Sequence, residues 1–296
     1  MKKEREMNKR MENRTERFVG VKPVFYTIIF ELKKQKKKFY FFTAISIIIG
    51  VLLGYVLPLI PSYLLSDTQI EFFNTGLQFI SFLTLFAACL FFSGIICSEF
   101  NKKTGFIVFP KINKYKLIIG KYFGNLILVV AIVTIYYFLL GLLGFLYYGG
   151  PINIRIYQSY GIAILYVIAL SSFVSFFSSF MKSVNLTIIS TLVLLLIGFN
   201  IADQLITFIF AGDIEPLYSL AYLGSLITGV LNYPFPNPRY SEISFSGEGG
   251  GFGPPAGDFT FGRWITPTVP MGITLLLLNI VIFFLLAAIL FKRRQL

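Results

Sequence analysis

Six stretches of this sequence are long and apolar enough to cross a bilayer, and no other feature constrains the fold as strongly. A helical span needs about 20 mostly apolar residues, at about 1.5 Å each, to cross about 30 Å of hydrocarbon. The qualifying stretches are residues 39–60, 77–97, 122–147, 159–180, 186–206 and 271–291. Lipid offers no hydrogen bonds, so each stretch must satisfy its own backbone as a helix. Composition agrees, with 56% hydrophobic and 14% charged residues, where a soluble domain carries about 45–50% and about 25%. The two cysteines, Cys89 and Cys97, fall in the second stretch. They cannot staple a chain of this length and are expected to pack as small buried thiols. The expected fold class is an all-α membrane protein with six transmembrane helices. No short apolar core with a cleavage site precedes the first span, which is expected to act as an uncleaved signal anchor.

Orientation follows from the basic residues. With the N-terminus in the cytoplasm, 23 of the 26 Lys and Arg face inward, leaving Arg155, Arg239 and Arg263 outside. Six acidic residues lie inside and eight outside, so the net charge of +12 resolves into +17 on the inner face and −5 on the outer. The expected location is the cell membrane, multi-pass, with both termini cytoplasmic. The two N-x-[ST] sequons, at Asn13 and Asn185, fall inside in this arrangement.

Residues 1–38 form a basic cytoplasmic tail and helix, and residues 39–296 the six-span domain. The tail's first 17 residues alternate in charge and read as a solvated helix. Val21, Val24, Phe25, Ile28, Ile29 and Leu32 then repeat with helical spacing, Pro23 suits a first turn, and Lys33, Lys34 and Lys36–Lys38 crowd the end. Such a basic amphipathic helix is expected to lie in the inner interface and contact lipid headgroups before turning into the first span. A topology anchor and a lever that also touches a cytoplasmic partner are both open. The 98–121 loop is basic yet keeps Phe106–Phe109 between Gly105 and Pro110, as a segment docked on a partner or on headgroups would. Residues 207–270 make one long outer region, opening with apolar runs that suit re-entrant or interfacial helices. Its glycines at 247–253 lack the register and the following helix of a phosphate loop, and read as an irregular loop.

The chemistry open to such a chain is narrow. There is no histidine, which removes His-based triads and HExxH zinc sites. No Asp, Glu, His or Lys sits near a span centre, where ion-coupled carriers need one. The interior polar residues are uncharged, and the serines at 171, 172, 175, 178 and 179 suit close helix packing. There is no Walker A motif, no channel filter and no recognisable nucleic-acid fold. The chain is not expected to be an enzyme, nor to hold a cofactor or metal of its own.

The basic helix, six spans with both ends inside, the loop after span two and the long region before span six together resemble the ABC-2 type permease, the transmembrane subunit of a class of ABC transporters. The local match is Glu99, Thr104-Gly105, Pro110, the lysines at 111, 114 and 116, and Gly120-Lys121. The Gly/Thr order is reversed from the usual one, and no Ser-Arg follows the proline. The resemblance implies an exporter subunit working as a dimer, with a second copy or a paralogue, and driven by separate ATPase subunits that bind ATP and Mg. It implies a coupling loop at 98–116 carrying Glu99, Lys102, Lys103, Thr104, Gly105, Phe109 and Pro110, with Lys121 at its far side. It also implies a connecting helix through Phe25, Ile28, Ile29, Leu32, Lys33 and Lys34. Glu99 would pair with a basic residue of its own subunit or cap the loop helix. By the same analogy Phe79, Phe82, Phe86, Phe199 and Asn200 would line a substrate path. The alternative reading is a membrane anchor or assembly module that recruits a cytoplasmic partner without transport.

Overall fold

The computed structural model describes residues 22–53, 68–101, 114–210, 214–232, 239–245 and 259–293. Helices α1 (Lys22–Lys34) and α2 (Lys36–Val51) are followed by α3 (Gln69–Phe92) and a short α4 (Cys97–Asn101). Next come α5 (Lys114–Tyr148), α6 (Ile154–Phe180) and α7 (Val184–Val193). α7 runs through a π-helical turn, Leu194–Gly198, into α8 (Phe199–Ile209). The short helices α9 (Leu220–Gly224) and α10 (Leu226–Gly229) precede α11 (Val269–Arg293).

Among the described residues, five helical stretches are long and apolar enough to cross a membrane: α3 with its extension, α5, α6, α7–α8 and α11. This architecture is compatible with a multi-pass membrane protein. The first sequence stretch appears as α2, and its remainder from residue 54 lies outside the described residues. Among the described residues, the fold departs from all-α in one place. Strands β1 (Tyr240–Phe245) and β2 (Phe259–Trp264) pair antiparallel from Tyr240–Trp264 to Phe245–Phe259, where the sequence suggested an irregular loop. Both strands are rich in aromatic and β-branched residues, which favour a pleated ladder.

Polar residues punctuate the helices as their chemistry requires. Thr68 caps α3 by accepting from the Glu71 amide at 3.3 Å, and Asn153 caps α6 through the Arg155 amide at 3.0 Å. Gly149 and Gly150, at φ 60° and 75°, turn the chain from α5 into α6 in a region that side chains avoid. The core lies around α3 and α6, whose apolar windows are each 67% buried. The α7–α8 stretch is only 17% buried and α11 only 11%. Those two therefore turn most of their apolar surface outward, the arrangement lipid permits and water penalises.

The serines of α6 serve packing, as their density suggested. Ser171 and Ser172 share the Tyr122 hydroxyl at 2.8 and 3.2 Å. Ser178 accepts from the Ile96 and Cys97 amides at 3.1 and 3.2 Å and donates to the Ser93 carbonyl at 2.7 Å. It thereby satisfies the backbone where the helix breaks between α3 and α4. Both cysteine thiols are fully buried.

The short segment Leu220–Asn232 is packed into the bundle rather than laid over it. Leu220, Leu223, Leu226, Ile227 and Leu231 are almost wholly buried. Arg155 donates to the Leu231 carbonyl at 2.8 Å and Ser159 to the Ile227 carbonyl at 2.6 Å, while Gly224 lies against the Tyr166 ring. The partners step from residue 155 to 166 along α6, so the segment enters about 16 Å beside it. Broken helical backbone at such depth is tolerated only where protein groups satisfy it.

Candidate functional site

The distinctive chemistry lies at the lysine-rich end of the bundle. At 35 residues, α5 is about 52 Å long, well beyond the hydrocarbon thickness. Its Gly149 end turns directly into α6. Helix α1 packs along its other end. A Cβ on Gly120 would lie 2.7 Å from the Thr27 Cβ and 3.0 Å from the Val24 carbonyl oxygen. One on Gly124 would lie 3.1 Å from the Glu31 Cβ. The four-residue spacing of these glycines lets two backbones meet closely.

That contact carries Glu31 into a buried position, 1% exposed, beside Lys121 at 4%. Lys121 Nζ bonds to the Glu99 carboxylate and lies 3.9 Å from that of Glu31. Lys34 closes on Glu31 from the solvent side at 3.0 Å. Three elements, α1, α4 and α5, thus meet through one ion cluster. Desolvated charges need this pairing, because each alone would pay a large solvation penalty. Lys38, just ahead of the first apolar stretch, donates to the Leu90 carbonyl at 2.8 Å and lies 5.9 Å from the Phe91 ring centre. Burial lowers its affinity for the proton, nearby Lys34 lowers it further, and Glu31 opposes both.

Of the expected coupling residues, Glu99 and Lys121 come together directly, 22 positions apart in sequence. Lys102, Lys103, Thr104, Gly105, Phe109 and Pro110 lie outside the described residues. On α1, Phe25 is 60% exposed, Ile28, Ile29 and Leu32 are half-buried, and Lys33 and Lys34 are exposed. The face that α1 buries against protein is Pro23, Thr27 and Glu31. An amphipathic pattern marks two faces, and beside lipid the polar one can be the one that packs. Sequence reasoning missed Glu31 and Gly124; their signals were a lone acid in a lysine-rich helix and the Gly120-x-x-x-Gly124 spacing.

Phe79, Phe82 and Phe86 share one exposed stripe of α3, most of whose other apolar side chains are buried. Asn200 is exposed on α8 and turns its amide to the Leu196 carbonyl, 2.6 Å away. Phe199 packs instead on Phe173 of α6, with ring centres 6.1 Å apart. Toward the other end, Glu215 receives the Tyr222 hydroxyl at 2.8 Å and Arg239 at 3.0 Å, and Arg239 also reaches the Thr266 carbonyl. This group ties the residue before β1 and the connection from β2 to α11 to the buried segment. Among the described residues, no group of three or more Cys, Asp or Glu is placed to hold a metal. No protein-family profile matches the chain, and no curated protein does.

Proposed function

We propose that the chain is the membrane-spanning permease subunit of an ATP-driven ABC exporter of the ABC-2 type. In this reading its lysine-rich end faces the cytoplasm at the cell membrane, and separate ATPase subunits dock there. Two copies, or one copy with a paralogue, enclose the path. The observation that supports it is the ion cluster of Glu31, Lys121 and Glu99. A force applied to the loop after Glu99 would pass through Lys121 into the 35-residue α5, and through Glu31 into α1. Packed elements with a small number of arrangements transmit displacement in this way. The lack of an Asp, Glu, His or Lys near the centres of the apolar stretches supports an external energy source.

The experiment is affinity purification of the tagged chain from its native membrane in mild detergent. Stoichiometric recovery of an ATPase subunit with Walker A and B motifs, diminished by Glu99→Ala while membrane insertion stays normal, is the expected result. Repeated recovery of the intact protein with no ATPase, or with an unrelated soluble partner, would favour the anchor reading and overturn this one.

A further inference from the structure

The span that begins as α3 does not run unbroken into α4. Between Phe92 and Cys97 the chain makes turns instead of helix, and Ser93, Ile95, Ile96 and Cys97 are all buried there. Backbone groups in such a place must find partners within the protein. In a continuous helix the Leu90 carbonyl would accept from Gly94, the Phe92 carbonyl from Ile96 and the Ser93 carbonyl from Cys97. Here Leu90 accepts from Lys38 of α2 at 2.8 Å, Phe92 from Ile95 at 3.2 Å, and Ser93 from the Ser178 hydroxyl of α6 at 2.7 Å. The Ile96 and Cys97 amides donate to the same hydroxyl at 3.1 and 3.2 Å.

The Leu90 and Ser93 carbonyls and the Ile96 and Cys97 amides thus each have two available partners. One stands four residues away in the same helix, and the other is a side chain of another helix. The local sequence weakens the helix without forbidding it. A Gly/Ser pair is a common place for a kink, and Ser93-Gly94 is one, but no proline lies between Gln69 and Asn101. Gly94 does not adopt the positive φ seen at Gly149 and Gly150, and a Cβ on it would make only ordinary contacts, at 3.8–3.9 Å, with Val184 and Ser98. The broken form is also incompletely satisfied, since the buried Ser93 hydroxyl has no hydrogen-bond partner among the described residues.

We propose that residues 93–96 are a two-state hinge. Lys38 and Ser178 hold the broken form, and release of both lets α3 and α4 close into one helix. Closure re-aims α4, and with it Glu99 and the loop that follows. Packed elements with two discrete arrangements switch in this way. The inference rests on contacts within the chain and stands whether or not an ATPase docks on that loop.

The test is hydrogen exchange, resolved to single amides, on the full chain in detergent. Ser178→Ala alone leaves Lys38 in place, so the break persists and the Ile96 and Cys97 amides exchange about fivefold faster, the factor one ordinary net hydrogen bond supplies. Lys38→Met with Ser178→Ala removes both holds, and the same amides should then exchange more slowly than in Ser178→Ala, because the closed helix supplies their acceptors. Side chains that merely brace a fixed bend predict the opposite order. Exchange in the double variant as fast as in Ser178→Ala, or faster, would overturn the proposal. Adding Gly94→Pro to the double variant removes the amide that the Leu90 carbonyl needs on closure, and fast exchange should return; slow exchange that survives the proline would also overturn it. If the double variant does not fold, Lys38→Gln with Ser178→Cys, which keeps polar side chains at both positions, carries the same comparison against Ser178→Cys alone.

Discussion

Replacing Lys121 by methionine tests the reasoning about the ion cluster most directly. Methionine keeps an unbranched side chain of similar length and removes only the charge. In the native protein the Lys121 side chain is 5% exposed and faces Glu31 and Glu99, whose side chains are 2% and 13% exposed. Breaking a buried pair from one side costs about 3–5 kcal/mol, because desolvated carboxylates lose a counter-charge. The lower end, about 3 kcal/mol, applies here, since Glu31 retains Lys34 at 3.0 Å. For a chain of this size that loss lowers the unfolding midpoint by on the order of 10 °C. The assay uses purified protein in detergent with a maleimide dye that fluoresces on reaction with Cys89 and Cys97, so that buried thiols report unfolding. The triple variant Lys121→Met, Glu31→Gln, Glu99→Gln removes all three buried charges, leaves only the exposed Lys34, and should recover most of the loss, because neutral replacement of a buried cluster is often nearly neutral. A Lys121→Met midpoint within about 2 °C of the native one, well short of the fall expected from a buried pair, would refute the burial argument. A triple variant less stable than the single one would do the same.

Other perturbations probe separate contacts. Gly120→Leu drives a side chain into Thr27 and the Val24 carbonyl, so α1 should detach or shift at a cost of about 1–3 kcal/mol, visible as faster proteolysis within residues 22–34. Ser178→Ala leaves the Ile96 and Cys97 amides without their acceptor; hydrogen exchange at those amides should accelerate, with a stability loss of about 1–3 kcal/mol. Arg155→Met frees the Leu231 carbonyl, and the backbone of Leu220–Asn232 should then exchange faster than that of α6 itself.

The apolar stretches announced the long helices reliably, because transfer into hydrocarbon is additive along a chain and needs no knowledge of neighbours. The serines of α6 were also legible as packing residues, since small hydroxyl side chains at that density have few other uses inside a membrane. The buried short segment at Leu220–Asn232 was visible as apolar runs too brief to span. The strand pair was not legible, because Pro and Gly flank it and its partners stand 14 to 24 residues apart. Phe199 shows a different limit: its place in an apolar helix said nothing about which neighbour its ring would meet.

The same division governs the candidate site. The sequence by itself determined that the lysines gather at one end of the spans, that α1 is amphipathic, and that Glu99 and Lys121 flank a basic loop. These are properties of local composition and spacing. Only the tertiary structure decided that α1 buries Pro23, Thr27 and Glu31 and leaves Phe25 outward, and that Glu31 joins Glu99 and Lys121 in one cluster. The physical reason is that beside lipid an apolar face gains little by turning inward. The choice of face then falls to close backbone approach at Gly120 and Gly124 and to pairing of charges far apart in the chain, and both exist only once the helices have packed.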